Sequence, residues 1–212
     1  MLLPWFLRRR LLIACYGYEI QPSARIGLAW VYPKKLVMGP NTYIGHLTVC
    51  VHLDEVRLDE SALIGKGNWI TGFPSGHPRH FVHQPDRRPR LYVQAHAAIT
   101  HRHMIDCTAE VVIGAFSTVA GYRSQLLTHS IDPVAGRQSS APILIGDHCF
   151  IGTNCVILGG ATLPRASILG AASLLNKNHE TPYTLYGGVP AKPLKPLAPD
   201  AKYFTRTQGF VD

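Results

Sequence analysis

Aliphatic residues recur at every sixth position through the carboxy-terminal part of the chain, at Ile145, Ile151, Ile157, Leu163, Leu169 and Leu175. A step of six matches neither the 3.6-residue period of a helix nor the simple alternation of a long strand. It fits a chain of short strands, each turning one residue inward, joined by tight corners. Glycines mark those corners. Gly146, Gly152 and Gly170 each follow a register aliphatic, and the same pair recurs as Ile26-Gly27, Met38-Gly39, Ile44-Gly45, Ile64-Gly65 and Ile113-Gly114. Elsewhere the step survives in pieces, at Leu58, Ile64 and Ile70, at Val93, Ile99 and Ile105, and at Ile113 and Val119.

Three such faces close one coil of about eighteen residues, and stacked coils share backbone hydrogen bonds at about 4.8 Å per layer, so the interior fills with ladders of Ile, Leu and Val. The register segments 24–70, 93–126 and 143–178 amount to about six coils, a prism roughly 30 Å long. The pattern predicts an all-β single domain over 1–212, with an amino-terminal cap over 1–23, coils over 24–178 and a carboxy-terminal extension over 179–212. Loops interrupt the coils at about 71–92 and 128–142.

Composition agrees with this. With 19 Gly and 16 Pro in 212 residues, the chain is rich in corners and poor in material for long helices. Charged residues are 16% and hydrophobic ones 46%, which excludes a disordered or acidic-tail chain. The five cysteines form no CxxC pair, so neither a disulfide framework nor a structural zinc site is indicated, and a reducing, cytoplasmic compartment is the simpler reading. Arg8, Arg9 and Arg10 lie between two apolar runs, unlike a signal peptide, and neither run could span a bilayer. A helix capping the coils is expected there, with peripheral membrane contact at the inner face of the membrane as the alternative.

The stretch PILIGDHCFIGTNCVILGGATLPRASILGAASLLNK, followed by YGGVPAKPLK, resembles the carboxy-terminal coils of the hexapeptide-repeat acyltransferases. The resemblance covers most of residues 24–197. It implies a left-handed parallel β-helix, a homotrimer, and acetyl-CoA bound between neighbouring prisms. The phrases NWITGFP, HRHMIDCT, AGYRSQLLTHSID and FIGT look like a subgroup of sugar and polysaccharide O-acetyltransferases, implying a sugar or glycan acceptor in bacterial surface polysaccharide biosynthesis. An N-acyltransferase on an amino sugar is the alternative.

In galactoside- and maltose-type acetyltransferases a His just before the PI.IG coil is the base, and LLTHSID places His129 there. A neutral imidazole suits the task, because it can take the proton of a poorly nucleophilic hydroxyl. Asp132 or Asp106 would orient it, and backbone N–H groups near Gly152 or Gly160 are candidates for the oxyanion. His103 is the second candidate base. Strand alternation predicts that His101 and His103 point the same way, with Arg102 opposite. His101, Asp106 and Arg123 are candidate acceptor contacts. MIDCT followed by VVIG resembles the serine acetyltransferase motif, but Cys107 stands where that family has its base, which argues against serine as acceptor.

The resemblance also carries acetyl-CoA contacts onto Gly152, Thr153, Ala171, Lys177 and Lys192. The 71–92 loop holds Arg79, Arg87, Arg88 and Arg90 against Asp86, a candidate lip for phosphate groups. Nucleic acid is not expected, because no aromatic platform is interleaved with these cations. Of the net +8, the larger share lies at the amino terminus, in this loop and at the tail, and the coils are expected to be nearly uncharged. His96 and His101 have the HxxxxH spacing of γ-class carbonic anhydrases, but the third ligand of such a zinc site is missing, so no metal is expected. A β-helix scaffold without chemistry is the remaining alternative, with His129 the argument against it.

Overall fold

The structure is a computed structural model that describes residues 3–209 and residue 211. The chain winds into a left-handed parallel β-helix of triangular section. Among the described residues two faces, A and C, carry seven strands each, and face B carries nine, the last two forming an antiparallel hairpin (Thr184–Gly188 with Ala191–Pro196). The first strand is Glu19–Ile20, so the coils begin before residue 24 and number seven on faces A and C, one more than the periodicity predicts.

The six-residue step is the handover from face to face. Ile145, Ile151 and Ile157 lie on faces A, B and C of one coil, and Leu163, Leu169 and Leu175 repeat that order on the next. Each stacks in register on its equivalents. On face B the ladder runs Ile26, Ile44, Ile64, Ile99, Val119, Ile151, Leu169 and Tyr186. All of them are buried, and such close-packed columns supply the hydrophobic stabilisation. Corner residues adopt positive φ repeatedly, as at Asn41, Ser61, His96, Phe116, His148 and Ala166 between faces A and B. There the rings of His96, Phe116 and His148 stack at 4.8 Å intervals, the layer spacing of a β-sheet.

Charge is not confined to ends and loops. Face A carries a ladder on its outer side in which Lys35 meets Glu19 and Glu55, and Arg90 meets Glu55 and Glu110. Signs alternate from coil to coil, so these charges nearly cancel.

The open edge of the first coil is covered by the amino-terminal helix Trp5–Tyr16. Trp5 Nε1 donates to the Ala24 carbonyl (2.9 Å), Arg8 to the carbonyls of Ile26 and Gly27, and Arg9 to that of Ile20. Two arginines of the run thus satisfy carbonyls that would otherwise template another strand. At the other end the tail runs back along the corner between faces A and B. Tyr203 donates to the Cys149 carbonyl (3.0 Å), Arg206 to that of Phe116, and Gly209 reaches His96.

Gly114 shows how little room the stack leaves. A Cβ there would lie 2.4 Å from the Gly146 carbonyl carbon and 2.6 Å from the Asp147 nitrogen, both backbone. Gly114→Ala should therefore destabilise the protein by about 1–3 kcal/mol, seen as a lower urea midpoint. An unchanged midpoint would contradict the packing described here.

Candidate active site

Both insertions leave the coils at one corner, the one that follows face C. The first, 72–89, follows strand Trp69–Thr71, and the second follows strand Gln125–Leu127 as a hairpin of His129–Asp132 with Arg137–Ser140. Strand Met104–Asp106 lies between them, with Asp106 in register with Thr71 on one side and Leu127 on the other. Two loops from the coils on either side therefore converge on one carboxylate. Gln84 ties them together, its side chain exchanging hydrogen bonds with the backbone and hydroxyl of Ser140 (2.9–3.0 Å).

Asp106 Oδ2 lies 2.8 Å from His129 Nδ1 and also accepts from the His129 and Thr128 backbone N–H groups and the Thr128 hydroxyl. Its Oδ1 accepts from the Thr108 hydroxyl (2.6 Å). Burial alone would push this carboxyl up, but the donors from His129, Thr108 and Thr128 outweigh it and hold the group below the ordinary carboxylate range. His129 moves the other way: its bond to Asp106 raises it above 6.5 against the opposing effects of burial and of Arg87. With Nδ1 turned to Asp106, Nε2 meets no protein hydrogen-bond partner among the described residues. The imidazole is partly exposed beside a cleft of about 500 Å³ lined by Thr128, Ser130, Ser139, Ser140, Gly159 and Asn176. Gly159, in that lining, has no room for a side chain, since a Cβ there would meet the Thr128 carbonyl at 2.5 Å. The arrangement is a carboxylate-oriented imidazole with one free nitrogen, the geometry of a general base.

The other sequence candidates lie elsewhere. Asp132 does not orient His129; its Oδ1 accepts from the backbone of Val134 and Ala135 and caps the hairpin turn. Asp106, expected to touch acceptor, is buried and spends its oxygens on protein donors. His103 is 1% exposed, its Nδ1 accepting from Ser124 N (3.1 Å) and its Nε2 against Thr100 Oγ1 (3.0 Å). Both of its ring nitrogens are thus engaged within the prism. His101 and His103 also do not share a side, because Arg102 between them has φ of 56° and turns the corner. His101 stays outside, accepting from Lys66 N (3.0 Å). The N–H groups of the two glycines themselves are taken: Gly152 N donates to the Leu169 carbonyl and Gly160 N to that of Pro142, both at 2.8 Å. Cys107 is fully buried and its thiol is pushed well up by burial, so it is no nucleophile.

Gly152, Thr153 and Ala171 stack at the corner between faces B and C, where Arg123 and His101 also stand, and Lys192 lies opposite Gly187 on the adjoining hairpin. Thr153 Oγ1 is engaged with the Tyr122 backbone (2.9–3.0 Å). Lys177 is exposed at the other end of face C, the end that holds His129. The basic lip is half spent: Arg87 is folded inward onto backbone carbonyls and Arg90 is paired with Glu110, leaving Arg79 and Arg88 exposed. His96 and His101 stand at different corners, and among the described residues no three His, Cys, Asp or Glu side chains gather as for a metal.

Sequence reasoning missed Phe73, Phe81, Gln84, Thr108 and Thr128, and read Arg87 as part of a phosphate-binding lip. Thr128 beside the base and Thr108 two residues past Asp106 were readable signals, since hydroxyls at such offsets bond a carboxylate locally. The Gln84–Ser140 link, between two separate insertions, had none.

The left-handed coil is a fold shared with acyltransferases of known structure. No protein-family model matches the chain. A Schizosaccharomyces pombe protein named a "putative acetyltransferase" is 36% identical over 73 residues, which is 33% of this chain and 35% of that protein; the match thus spans about a third of the relative's length. Among solved structures, a variant of AntD, an N-acyltransferase from Bacillus cereus, in complex with dTDP and coenzyme A, superposes with a TM-score of 0.57 at 13% identity, covering 92% of each chain. A second AntD variant, with dTDP-4-amino-4,6-dideoxyglucose and coenzyme A, gives 0.54 at 13% identity over 93% of this chain and 92% of that one. At this identity the likeness establishes the fold.

His103 has a consequence for stability. Burial lowers it from the ordinary 6.5 to about 4, so the unfolded chain takes up this proton at a higher pH than the folded one. Stability should fall as pH drops from 6.5 towards 4, by about 3 kcal/mol in all. Urea unfolding at several pH values checks this: His103→Gln should be less stable at pH 7.5 yet show a flatter acid dependence, and an equally steep one would refute the assignment.

Proposed function

We propose that the protein is an acetyl-CoA-dependent O-acetyltransferase acting on a sugar hydroxyl, with a cell-surface glycan as the acceptor class. The observation that carries this reading is the His129–Asp106 pair at 2.8 Å, with Nε2 free beside an uncharged, hydroxyl-lined cleft. Acetyl-CoA would supply the acyl group as a thioester. His129 holds its Nδ1 proton on Asp106, takes the acceptor hydroxyl proton at Nε2 as the new ester bond forms, and returns it towards the departing thiolate. Asp106 fixes the tautomer and stabilises the imidazolium between those events.

The coenzyme would run along the prism over Gly152, Thr153, Ala171 and Lys192, with Lys177 nearer the base. Lys177 and Lys192 are exposed cations suited to its phosphates. Because these residues divide between the two ends of face C, a groove between two copies of the chain would bring both sets to one ligand, which supports a homotrimer. The amino-terminal helix is too short to cross a membrane, but Phe6, Leu7 and Leu11 are exposed on it and Leu3 just ahead of it, which supports peripheral contact with a membrane surface.

His129→Ala should lower kcat by about 10²- to 10⁴-fold while acetyl-CoA still binds, measured by thiol release and by calorimetry. Methyl hexosides serve as hydroxyl acceptors and the matching amino hexosides as amine acceptors; a preference for the amines would replace O- by N-acylation. In the parent, kcat/KM should rise with pH through an ionisation above 6.5, because His129 must be neutral to act and its bond to Asp106 favours the proton. Near-parental activity in His129→Ala would refute the base assignment. For the helix, Leu7→Glu with Leu11→Glu should abolish co-sedimentation with anionic phosphatidylglycerol vesicles; failure of the parent to sediment would remove the membrane reading.

A further inference from the structure

One side chain fastens the 72–89 loop. Arg87 reaches back across it, Nη1 donating to the carbonyls of Phe73 (2.5 Å) and Thr108 and Nη2 to that of Pro74 (3.1 Å). Its guanidinium sits over the Phe81 ring, 4.4 Å from the centroid. Phe81 and Phe73 in turn stand edge-on to the His129 imidazole, with centroids 6.2 and 5.7 Å away and planes nearly perpendicular to it. The loop is also bound to the carboxylate's own support, since Phe73 N donates to the Thr108 hydroxyl, which donates to Asp106. A planar fork can satisfy several carbonyls while stacking on a ring, which an ammonium cannot.

Resting on the reading of His129 as general base, we propose that Arg87 is a positioning residue for it: by bridging Phe73, Pro74 and Thr108 it sets the aromatic wall that holds the imidazole, and it fixes a cation in the same enclosure. Burying a guanidinium costs folding free energy, the more so because Arg87 Nε is buried without a partner.

Two charged groups act on the imidazole, Asp106 from strand Met104–Asp106 and Arg87 from the loop. His80 stands behind Phe73, their rings 5.3 Å apart, and the hairpin presents only uncharged Ser140 opposite His129. Asp106 favours the proton on His129 and Arg87 opposes it. Arg87 thus works against the over-stabilised imidazolium that a lone carboxylate partner would produce, and such an imidazolium would be a poorer base near neutrality.

The test uses the full-length protein carrying Arg87→Met, Arg87→Lys or His129→Ala, each checked for folding by circular dichroism. The His129 imidazole is titrated by NMR, its resonance identified by its loss in His129→Ala, so this readout needs no acceptor. In Arg87→Met the midpoint should rise by about half a pH unit or more, the acid limb of kcat/KM should follow it, and kcat with the best methyl hexoside should fall about 10- to 100-fold. Arg87→Lys keeps the charge but not the fork, so its midpoint should stay near the parent's while kcat still falls about tenfold. A folded Arg87→Met with an unmoved midpoint overturns the proposal, as does parental kcat in either variant; if Arg87→Met does not fold, Arg87→Lys alone decides on kcat. Full activity in His129→Ala would instead overturn the general-base reading and leave the titration result standing.

Discussion

Each coil is held by the same two interactions, parallel backbone hydrogen bonds to the coils on either side and an inward aliphatic that stacks in register on its neighbours. Both require every coil to repeat its corners at nearly the same place, which is why positive-φ residues form columns and why Gly114 cannot carry a Cβ. The constraint leaves two weak points, the ends of the stack. The first is answered by Trp5, Arg8 and Arg9, which give open-edge carbonyls their donors, and the last by the hairpin that follows Leu175 on face B. Part of the net positive charge is therefore spent on the protein's own backbone.

The same constraint builds the site. A prism that must keep its register can accept an insertion only where the chain leaves and re-enters at a corner. Here two insertions use the same corner on coils that flank Asp106, so the carboxylate lies between their roots without any of the three segments leaving the register. Thr108 and Thr128 occupy the corners next to it and turn their hydroxyls on it. The candidate site is thus specified by which corner is interrupted and on which coils, with the loops adding covering residues to an imidazole and carboxylate already paired at the stack.

Much of this was legible from residues alone, and the failures share a cause. The six-residue ladder and the two interruptions were readable because they depend on local spacing, whereas His129 became a base candidate only through the resemblance to galactoside- and maltose-type acetyltransferases. The seventh coil was missed because strand Glu19–Ile20 precedes the first aliphatic-glycine pair, Ile26-Gly27, in the stretch assigned to the cap. The pairing of His101 with His103 assumed a strand running straight through Arg102, where the chain in fact turns a corner. Asp132 was as near to His129 in sequence as a partner could be, yet it lies on a hairpin whose turn needs its oxygen, while Asp106 is distant in sequence and adjacent through the stack. Contacts along the axis join residues a coil apart, and irregular loops make that distance unreadable.

His103 and His129 show what the stack does to one residue type. His103 enters the interior just past a corner, where a backbone N–H and a hydroxyl satisfy both ring nitrogens and burial keeps it neutral. A second proton there would set a donor against the Ser124 N–H. His129 stands at the root of an insertion, where only Nδ1 is claimed and the carboxylate that claims it favours the proton, so this imidazole can accept charge during a reaction. Had the two been exchanged, neither would serve: a carboxylate beside Nδ1 of a buried imidazole would trap a charge, and a fully satisfied imidazole at the cleft would have no nitrogen for substrate. The difference between a fully satisfied imidazole and one with a free nitrogen follows from which corner of the prism each one occupies.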